Sequence, residues 1–299
     1  MAQKFTPENV TMREHMQGDI PQQYGGEIIK EIMENSVMMQ LAQYKEMTKP
    51  EMEFTTYAGG IGAYWVEEGE RIQTSRPQWL NVKMKAHKMA VIVPITREAL
   101  QYNMPDFFNR MRPLIAEAFY RKFDQATILG VDTPFTQSLD KSAKDSGTVV
   151  TGPLNVENWD KTVDALTDHG HEPNAVISKV ANTSLLRNLV RNENGLYTRL
   201  YDGTSKILDG APVLNVSHEL EEFKRGTLYT GDFDNVFYGI PYNFTYKIAE
   251  EGTISTIKDA DGNDINLFER EMQALRVTAD FAFLVVKDNA FGKLTAETV

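Results

Sequence analysis

The chain reads as a mixed α+β protein from which a β hairpin projects. Three observations carry that reading. Residues Phe54 to Thr96 form two β arms joined by a charged turn region, and the second arm continues into an apolar strand. From Pro105 to Leu129 apolar residues recur at helical spacing, and a second α/β module follows from Asn155. The first hairpin arm is Gly-rich and aromatic and the second is half-polar, a poor composition for a core hairpin. An exposed hairpin of this kind needs a neighbour to lie on. Nothing catalytic sits in it, so the chain reads as a building block rather than an enzyme.

The chain has 299 residues, of which 41% are hydrophobic and 24% charged, ordinary values for a globular protein long enough for two compact units. It contains no cysteine, which excludes disulfides, thiolate chemistry and cysteine-ligated metal, and fits an intracellular setting. The net charge is −11, and no run of five Lys or Arg exists. Such a chain grips phosphate backbones poorly, because that affinity comes from cations displacing counterions. No run approaches the roughly 20 apolar residues that span a bilayer, and the N-terminus is polar and mixed in charge, unlike a signal peptide. No membrane partner is expected.

Taken in order, residues 1–20 read as an extended arm, with Pro7 and Pro21 opposing a long helix. Gly26 to Met47 is expected to be one amphipathic helix packing on its own domain, with Ile28, Ile29, Ile32, Met33, Ser36, Val37 and Leu41 on one face. From Trp79 the period becomes two: Leu80, Val82, Met84 and Ala86 alternate with Asn81, Lys83, Lys85 and His87, a strand with one wet face. Met89 to Ile95 is apolar except for Pro94, so the strand then enters a core. Thr96 is an expected N-cap for a short helical turn, and Pro105-Asp106 opens a long helix that Gly130 stops, with Pro113 expected to kink it or mark a frayed first turn.

Pro134 to Gly152 reads as a polar loop or short hairpin and the best internal boundary. Beyond it the sequence predicts a helix from Asn155 to Leu166, a buried strand over Ala175–Ser178, a helix from Ser178 to Val190, and strands over Val213–Val216, Leu228–Phe233 and Val236–Ile240. The remainder returns to β: Phe244–Ile248, Thr253–Lys258, a turn at Asp261-Gly262-Asn263, and a buried strand ending at Val285-Val286.

A search for chemistry finds none. There is no phosphate-loop motif and no nucleophile elbow. Gly59-Gly60-Ile61-Gly62 lacks a third glycine at the dinucleotide-binding spacing and reads as a tightly turning hairpin arm. His169-Gly170-His171-Glu172 reads as a solvent-exposed loop rather than a metal site. In Asp259–Asp264 the glycine and the closing glutamate of a calcium loop are misplaced, which leaves a β-turn. No cofactor is expected. Glu67, Glu68 and Glu70 with Arg71 read either as a solvated turn or as partners for a basic strip such as Lys83, Lys85 and Lys88 on a neighbouring chain.

The order of these segments resembles a known family. Ala63-Tyr64-Trp65-Val66-Glu67-Glu68-Gly69-Glu70 and the stretch from Lys88 to Leu100 are its strongest carriers. Phe107–Leu129, Asn174–Ser178, Leu208-Asp209-Gly210-Ala211-Pro212-Val213 and Gly231-Asp232-Phe233 follow in the expected order. Together they resemble the major capsid proteins of tailed bacteriophages, with the HK-ninety-seven-like coat fold, over essentially the whole chain.

The resemblance implies an N-terminal arm and helix (1–50), an extended hairpin loop (51–95), a peripheral domain with a long spine helix (96–150), an axial α/β domain (151–240) and return strands (241–299). It implies a non-enzymatic shell protein of the virion head, assembled in the host cytoplasm. Its copies would form hexamers and pentamers around weakly contacted double-stranded DNA. A portal protein, a separate scaffolding protein and a decoration protein are the expected partners. Tyr64, Trp65, Glu67, Glu68, Glu70, Arg71, Trp79, Lys83, Lys85 and Lys88 are the expected inter-subunit contacts. An encapsulin-like nanocompartment shares the implied fold, and a soluble two-domain enzyme is the remaining alternative.

Overall fold

A computed structural model describes residues 22–59, 78–193, 195–218, 220, 222–242, 245–258, 262 and 264–296. Helices α1 (Gln22–Asn35) and α2 (Val37–Leu41) lead into strands β1 (Gln43–Tyr44), β2 (Glu51–Gly59) and β3 (Gln78–Thr96). The long helix α3 (Arg97–Asp124) runs into a π-helical turn, Gln125–Leu129. Then come α4 (Leu139–Asp145), β4 (Val149–Thr151), α5 (Val156–Thr167), β5 (Ala175–Lys179) and α6 (Thr183–Arg187). Strands β6 (Val190–Glu193), β7 (Leu196–Arg199), β8 (Tyr201–Asp202), β9 (Ile207–Leu208), β10 (Ala211–Val216), β11 (Leu228–Gly231) and β12 (Val236–Gly239) follow. The chain closes with β13 (Thr245–Ala249), β14 (Thr253–Lys258), β15 (Asp264–Asn266), β16 (Met272–Val285) and β17 (Phe291–Thr295).

Two sheets organise these elements. The first has the order β1-β12-β16-β3-β2, with β13 also paired to β16, and the second has the order β4-β17-β11-β5-β10-β9-β8. β14–β15 and β6–β7 form two-stranded ribbons. One apolar core joins the inner face of the first sheet (Leu275, Val277, Phe281, Phe283) to α1, α2 and α3 and to Ile177, Tyr229 and Phe291 of the second sheet. The other face of the second sheet is covered by Trp159 of α5 with Val176, Leu186 and Leu294. A strand covered on both faces has no wet side, which is why Ala175–Ser178 is continuously apolar or small and fully buried.

The long strand β3 changes its buried face along its length. Val82, Met84 and Ala86 pack with Met47, Ala282, Leu284, Phe54 and Phe237 in a small separate cluster. From residue 89 the odd positions Met89, Val91, Val93 and Ile95 take over and pack into the main core, while Ile92 is exposed. The wet-face expectation holds for Lys83 and Lys85 but not for His87, whose ring stands edge-on to Phe135 at 5.6 Å. β2 covers β3 only as far as Lys85, so Pro94 lies where β3 has one neighbour and a missing N–H is tolerated.

Two motifs have local causes. In Leu208–Val213, Asp209 and Gly210 both hold positive φ (49° and 87°), the two-residue hairpin turn that joins β9 to β10. In Gly231-Asp232-Phe233, a Cβ on Gly231 would lie 2.3 Å from the Ala290 carbonyl oxygen. The Asp232 side chain accepts from the Asp234 N–H to cap the following 3₁₀ turn, and Phe233 buries edge-on against Phe291 at 5.5 Å.

Four expectations are corrected. The N-terminal helix is broken at Ser36 and ends at Leu41, because Ser36 caps a second helix by accepting from the Met39 N–H. The long helix begins at Arg97 and continues through Pro105 and Pro113; Thr96 is its N-cap position but makes no side-chain cap bond. Pro134–Gly152 contains α4, capped by Ser138 and carrying the buried Leu139, Asp140, Ser142 and Ala143. Asp140 accepts from Tyr229 Oη at 3.0 Å and pairs with Lys144 and Lys293. Burial opposes its ionisation, but these partners outweigh burial and hold the carboxyl below its usual range. Last, Ser178–Val190 yields only a 3₁₀ turn and the short α6 before β6 begins. Gly130 does terminate the long helix, with φ of 70°.

The helical parts meet at Asp124, which is fully buried at the end of α3. Its Oδ1 accepts from Ser36 Oγ at 2.6 Å and the Met38 N–H at 3.2 Å, and its Oδ2 accepts from the Val37 N–H at 3.0 Å. The carboxylate thereby satisfies the first N–H groups of α2, which have no partner within their own helix. His218 Nε2 lies 3.3 Å from Oδ2, and Tyr120 stands edge-on to the His218 ring at 5.2 Å. Burial raises Asp124 to about 7 against the pull of its three donors. Burial, helped by Arg121, lowers His218 to about 4.

Asp124→Ala is expected to cost the unassembled subunit about 2–4 kcal/mol in urea unfolding, through orphaned donors and a small cavity. The pH dependence is more specific. From about pH 4 to about 6.5 the folded pair and the unfolded pair each bind one proton, on Asp124 when folded and on the histidine when unfolded. Their contributions to the pH slope cancel there. His218→Asn unmasks the raised carboxyl, so stability falls as pH rises from about 4 to about 7. Asp124→Asn unmasks the depressed imidazole, so stability falls as pH drops from about 6.5 to about 4. Slopes of the same sign in the two variants would contradict this account. Gly231→Ala is expected to cost about 2 kcal/mol or more by the same measurement, because Ala290 is backbone that cannot step aside.

Candidate subunit interface

The hairpin of β2 and β3 is built by antiparallel pairing from Glu51↔Lys85 to Gly59↔Gln78, with a register shift between Tyr57 and Gly59. Its root is held from one side. Phe54 stands edge-on to Phe237 at 5.4 Å, and Lys45 Nζ lies over the Phe54 ring at 5.4 Å. Met84 is completely buried under the same cluster. Gly239 allows this closeness, since a Cβ there would lie 2.6 Å from Met47 Sδ and 2.9 Å from the Lys45 carbonyl oxygen. Farther out, Trp79 is 62% exposed.

The opposite face of the hairpin is polar and paired within itself. Lys83 reaches Glu51 at 3.2 Å and Glu53 at 3.7 Å, and Lys85 reaches Glu51 at 3.4 Å. Thr55 Oγ1 donates to Asn81 Oδ1 at 3.0 Å. Lys83 holds the Glu51 carboxyl below its usual range, with Lys85 adding to the effect, and Glu51 in turn raises Lys83. These exposed pairs fix side-chain positions more than they stabilise the fold.

Of the sequence-predicted contacts, Trp79, Lys83, Lys85 and Lys88 lie on β3. Lys83 and Lys85 already have partners in their own hairpin, and Lys88 lies beyond it, opposite Asp280 on β16. Tyr64, Trp65, Glu67, Glu68, Glu70 and Arg71 lie outside the described residues. Sequence reasoning missed other exposed apolar groups: Leu196 (70%) and Tyr197 (71%) on the β6–β7 ribbon, and Phe268 (74%) beside β15. The Asn194-Gly195 pair is a hairpin-turn signature that marks the first of these ribbons.

The described residues offer exposed contact surface on the hairpin and on the two ribbons. Among the described residues no group of three His, Asp or Glu side chains is arranged to hold a metal. His171 is buried rather than exposed as expected, with Nδ1 3.4 Å from Asp232, whose carboxylate also accepts from Asn174 and Asn235. The other feature of note is a cavity of about 870 Å³ lined by Arg187, Arg199, Tyr201 and Asp202. Its Asp202 accepts from the Ser205 hydroxyl and from the N–H groups of Thr204 and Ser205, three contacts from within the same turn. No described helix is long and apolar enough to cross a membrane.

Known proteins resemble this chain over most of its length. The chain is 44% identical over 293 residues to the major capsid protein of Staphylococcus phage 80alpha, covering 98% of this chain and 89% of that one. It is 26% identical over 288 residues to a probable major capsid protein of Mycobacterium phage L5, covering 87% and 84%. Among solved structures, a chain from Microbacterium phage Oxtober96 superposes with a TM-score of 0.71 at 20% identity, covering 88% of this chain and 91% of that one. The capsid chain of an empty GTA particle gives 0.63 at 15% identity, covering 88% and 90%. The model of the phage capsid family matches residues 19–296, and the chain belongs to that family.

Proposed function

We propose that this chain is the major capsid protein of a tailed-phage head, and that its copies join as hexamers and pentamers into an icosahedral shell around double-stranded DNA. The observation that carries the proposal is the β2–β3 hairpin: its root is packed on one side, and its outer part leaves Trp79 exposed. An arm of this form lies across the next subunit, adding interface area that a compact protomer lacks. Exposed aromatic groups become the energetic centre of such contacts once buried. The kinship with a named major capsid protein at 44% identity supports the same reading.

In this reading the first sheet with α3 is the peripheral unit and the second sheet with α5 is the axial unit. The protein is structural and not an enzyme. Its net charge of −11 keeps the lumen from holding packaged DNA tightly, so that the DNA can rearrange. A scaffolding protein directs assembly, a portal protein occupies one vertex, and a decoration protein binds outside.

Two measurements test this. Expression with its scaffolding partner, followed by size-exclusion chromatography and negative-stain microscopy, is expected to give closed shells. Particles loaded with a protein cargo would favour a nanocompartment, and a persistent monomer would overturn the proposal. Trp79→Ala and Trp65→Ala are expected to lower shell yield severalfold while shifting the melting temperature of the isolated subunit by no more than about 2 °C. Loss of subunit stability in step with shell yield would overturn the interface role of these residues.

A further inference from the structure

On the face of the first sheet turned away from α3, the strand registers bring three cations together. Arg276 of β16 lies between Ile92 of β3 and Lys247 of β13 in one row. Thr278 lies between Ala90 and Thr245 in the next row, and Lys88 stands opposite Asp280 in the row beyond. Alternate residues on the same strands, including Val91, Val277 and Tyr246, pack into the core. Lys88, Ile92, Lys247 and Arg276 are all exposed. Among the described residues none of the three cations forms an ion pair, whereas Lys83 and Lys85 on the same strand are both paired within the hairpin. Three cations and one carboxylate on one sheet face stand out in a chain whose net charge is −11.

The complementary charge is in the same sequence. Residues 60–77 join β2 to β3, and Glu67, Glu68 and Glu70 with Arg71 lie midway along them. Nine residues reach up to roughly 30 Å from the hairpin arms when extended. We propose that the face formed by Lys88, Lys247 and Arg276 receives the acidic segment Glu67–Glu70 of a second copy of this chain. This rests on the reading of the hairpin as a clasp and names the surface it closes on. The contact sets the register between neighbours through opposed charge, and Ile92 supplies an apolar centre within the cationic rows. Charge complementarity of this kind chooses the partner and speeds encounter more than it adds affinity.

The test uses full-length chains expressed with their scaffolding partner. Glu67→Lys, Glu68→Lys and Glu70→Lys together, or Lys88→Glu, Lys247→Glu and Arg276→Glu together, are each expected to lower particle yield by about tenfold or more. Subunit melting should be unchanged for the face variants, since those side chains are exposed. Co-expression of the two defective chains is expected to restore particles containing both, because the reversed segment of one fits the reversed face of the other. Neither chain contains a matched pair of its own, so rescue can arise only between subunits. Wild-type yield from either triple variant, or defective variants with no rescue in co-expression, would overturn the inference. A third chain, with residues 63–71 replaced by Gly and Ser, separates the two levels: if it assembles normally the clasp reading itself fails, and if it fails to assemble while the face variants assemble normally, only the assignment of the face fails.

Discussion

The arrangement depends on a carboxylate buried where helices meet. Asp124 ends the long helix and at the same time caps the start of α2 through Ser36, Val37 and Met38. A buried polar group is costly unless its lone pairs are occupied, and here three donors from a segment 86 to 88 residues away occupy them. The bond pattern therefore ties the N-terminal helices to the long helix by a polar contact that tolerates little displacement. Immediately after it the helix widens into a π turn and stops at Gly130, the kind of local irregularity that accompanies a specific constraint. Apolar packing of Ile28, Ile32 and Met38 against Phe119 and Phe123 supplies the bulk of the attachment, and Asp124 sets its register.

From that fixed centre the molecule extends outward along β3. Its inner half is bound to β16 from Ala86 to Thr96, and its outer half is bound to β2. The exchange of the buried face between Ala86 and Met89 lets one continuous strand serve two packing environments, the main core and the small methionine-rich cluster at the hairpin root. Continuity matters for a protein that assembles: a load on the arm passes along hydrogen-bonded backbone into the sheet rather than through a loop. The proposed clasp and its proposed receiving face both draw on this strand, which carries Trp79 at its outer end and Lys88 near its base.

Electrostatics divides along the same line. Lys83 and Lys85 are consumed within the hairpin by Glu51 and Glu53, which leaves that surface neutral on balance. In the interior, Asp140 shows the opposite strategy, a carboxylate kept ionised by Lys144 of its own helix and by the Tyr229 hydroxyl and Lys293, which pin α4 to β11 and β17. A buried pair of this kind contributes more to fixing one arrangement than to net stability.

The sequence by itself determined most of the architecture. Period-two and helical patterns located the hairpin, β3, the long helix, β5, α5 and the closing strands, because each buries one face or both and so leaves a repeating apolar signature. Asp209-Gly210 and Gly231-Asp232-Phe233 were legible because turns and close backbone approaches admit few residues. Trp79 and Lys88 were named from the sequence as candidate contacts, and both are exposed on β3. Only the tertiary structure decided that Ser36 breaks the first helix, that Lys83 and Lys85 are satisfied at home, that His171 is buried, and that Asp140 and Asp124 are interior. Each of these depends on a group distant in sequence, such as Asp124 for Ser36 or Lys293 for Asp140, and local pattern carries no record of what the fold brings alongside.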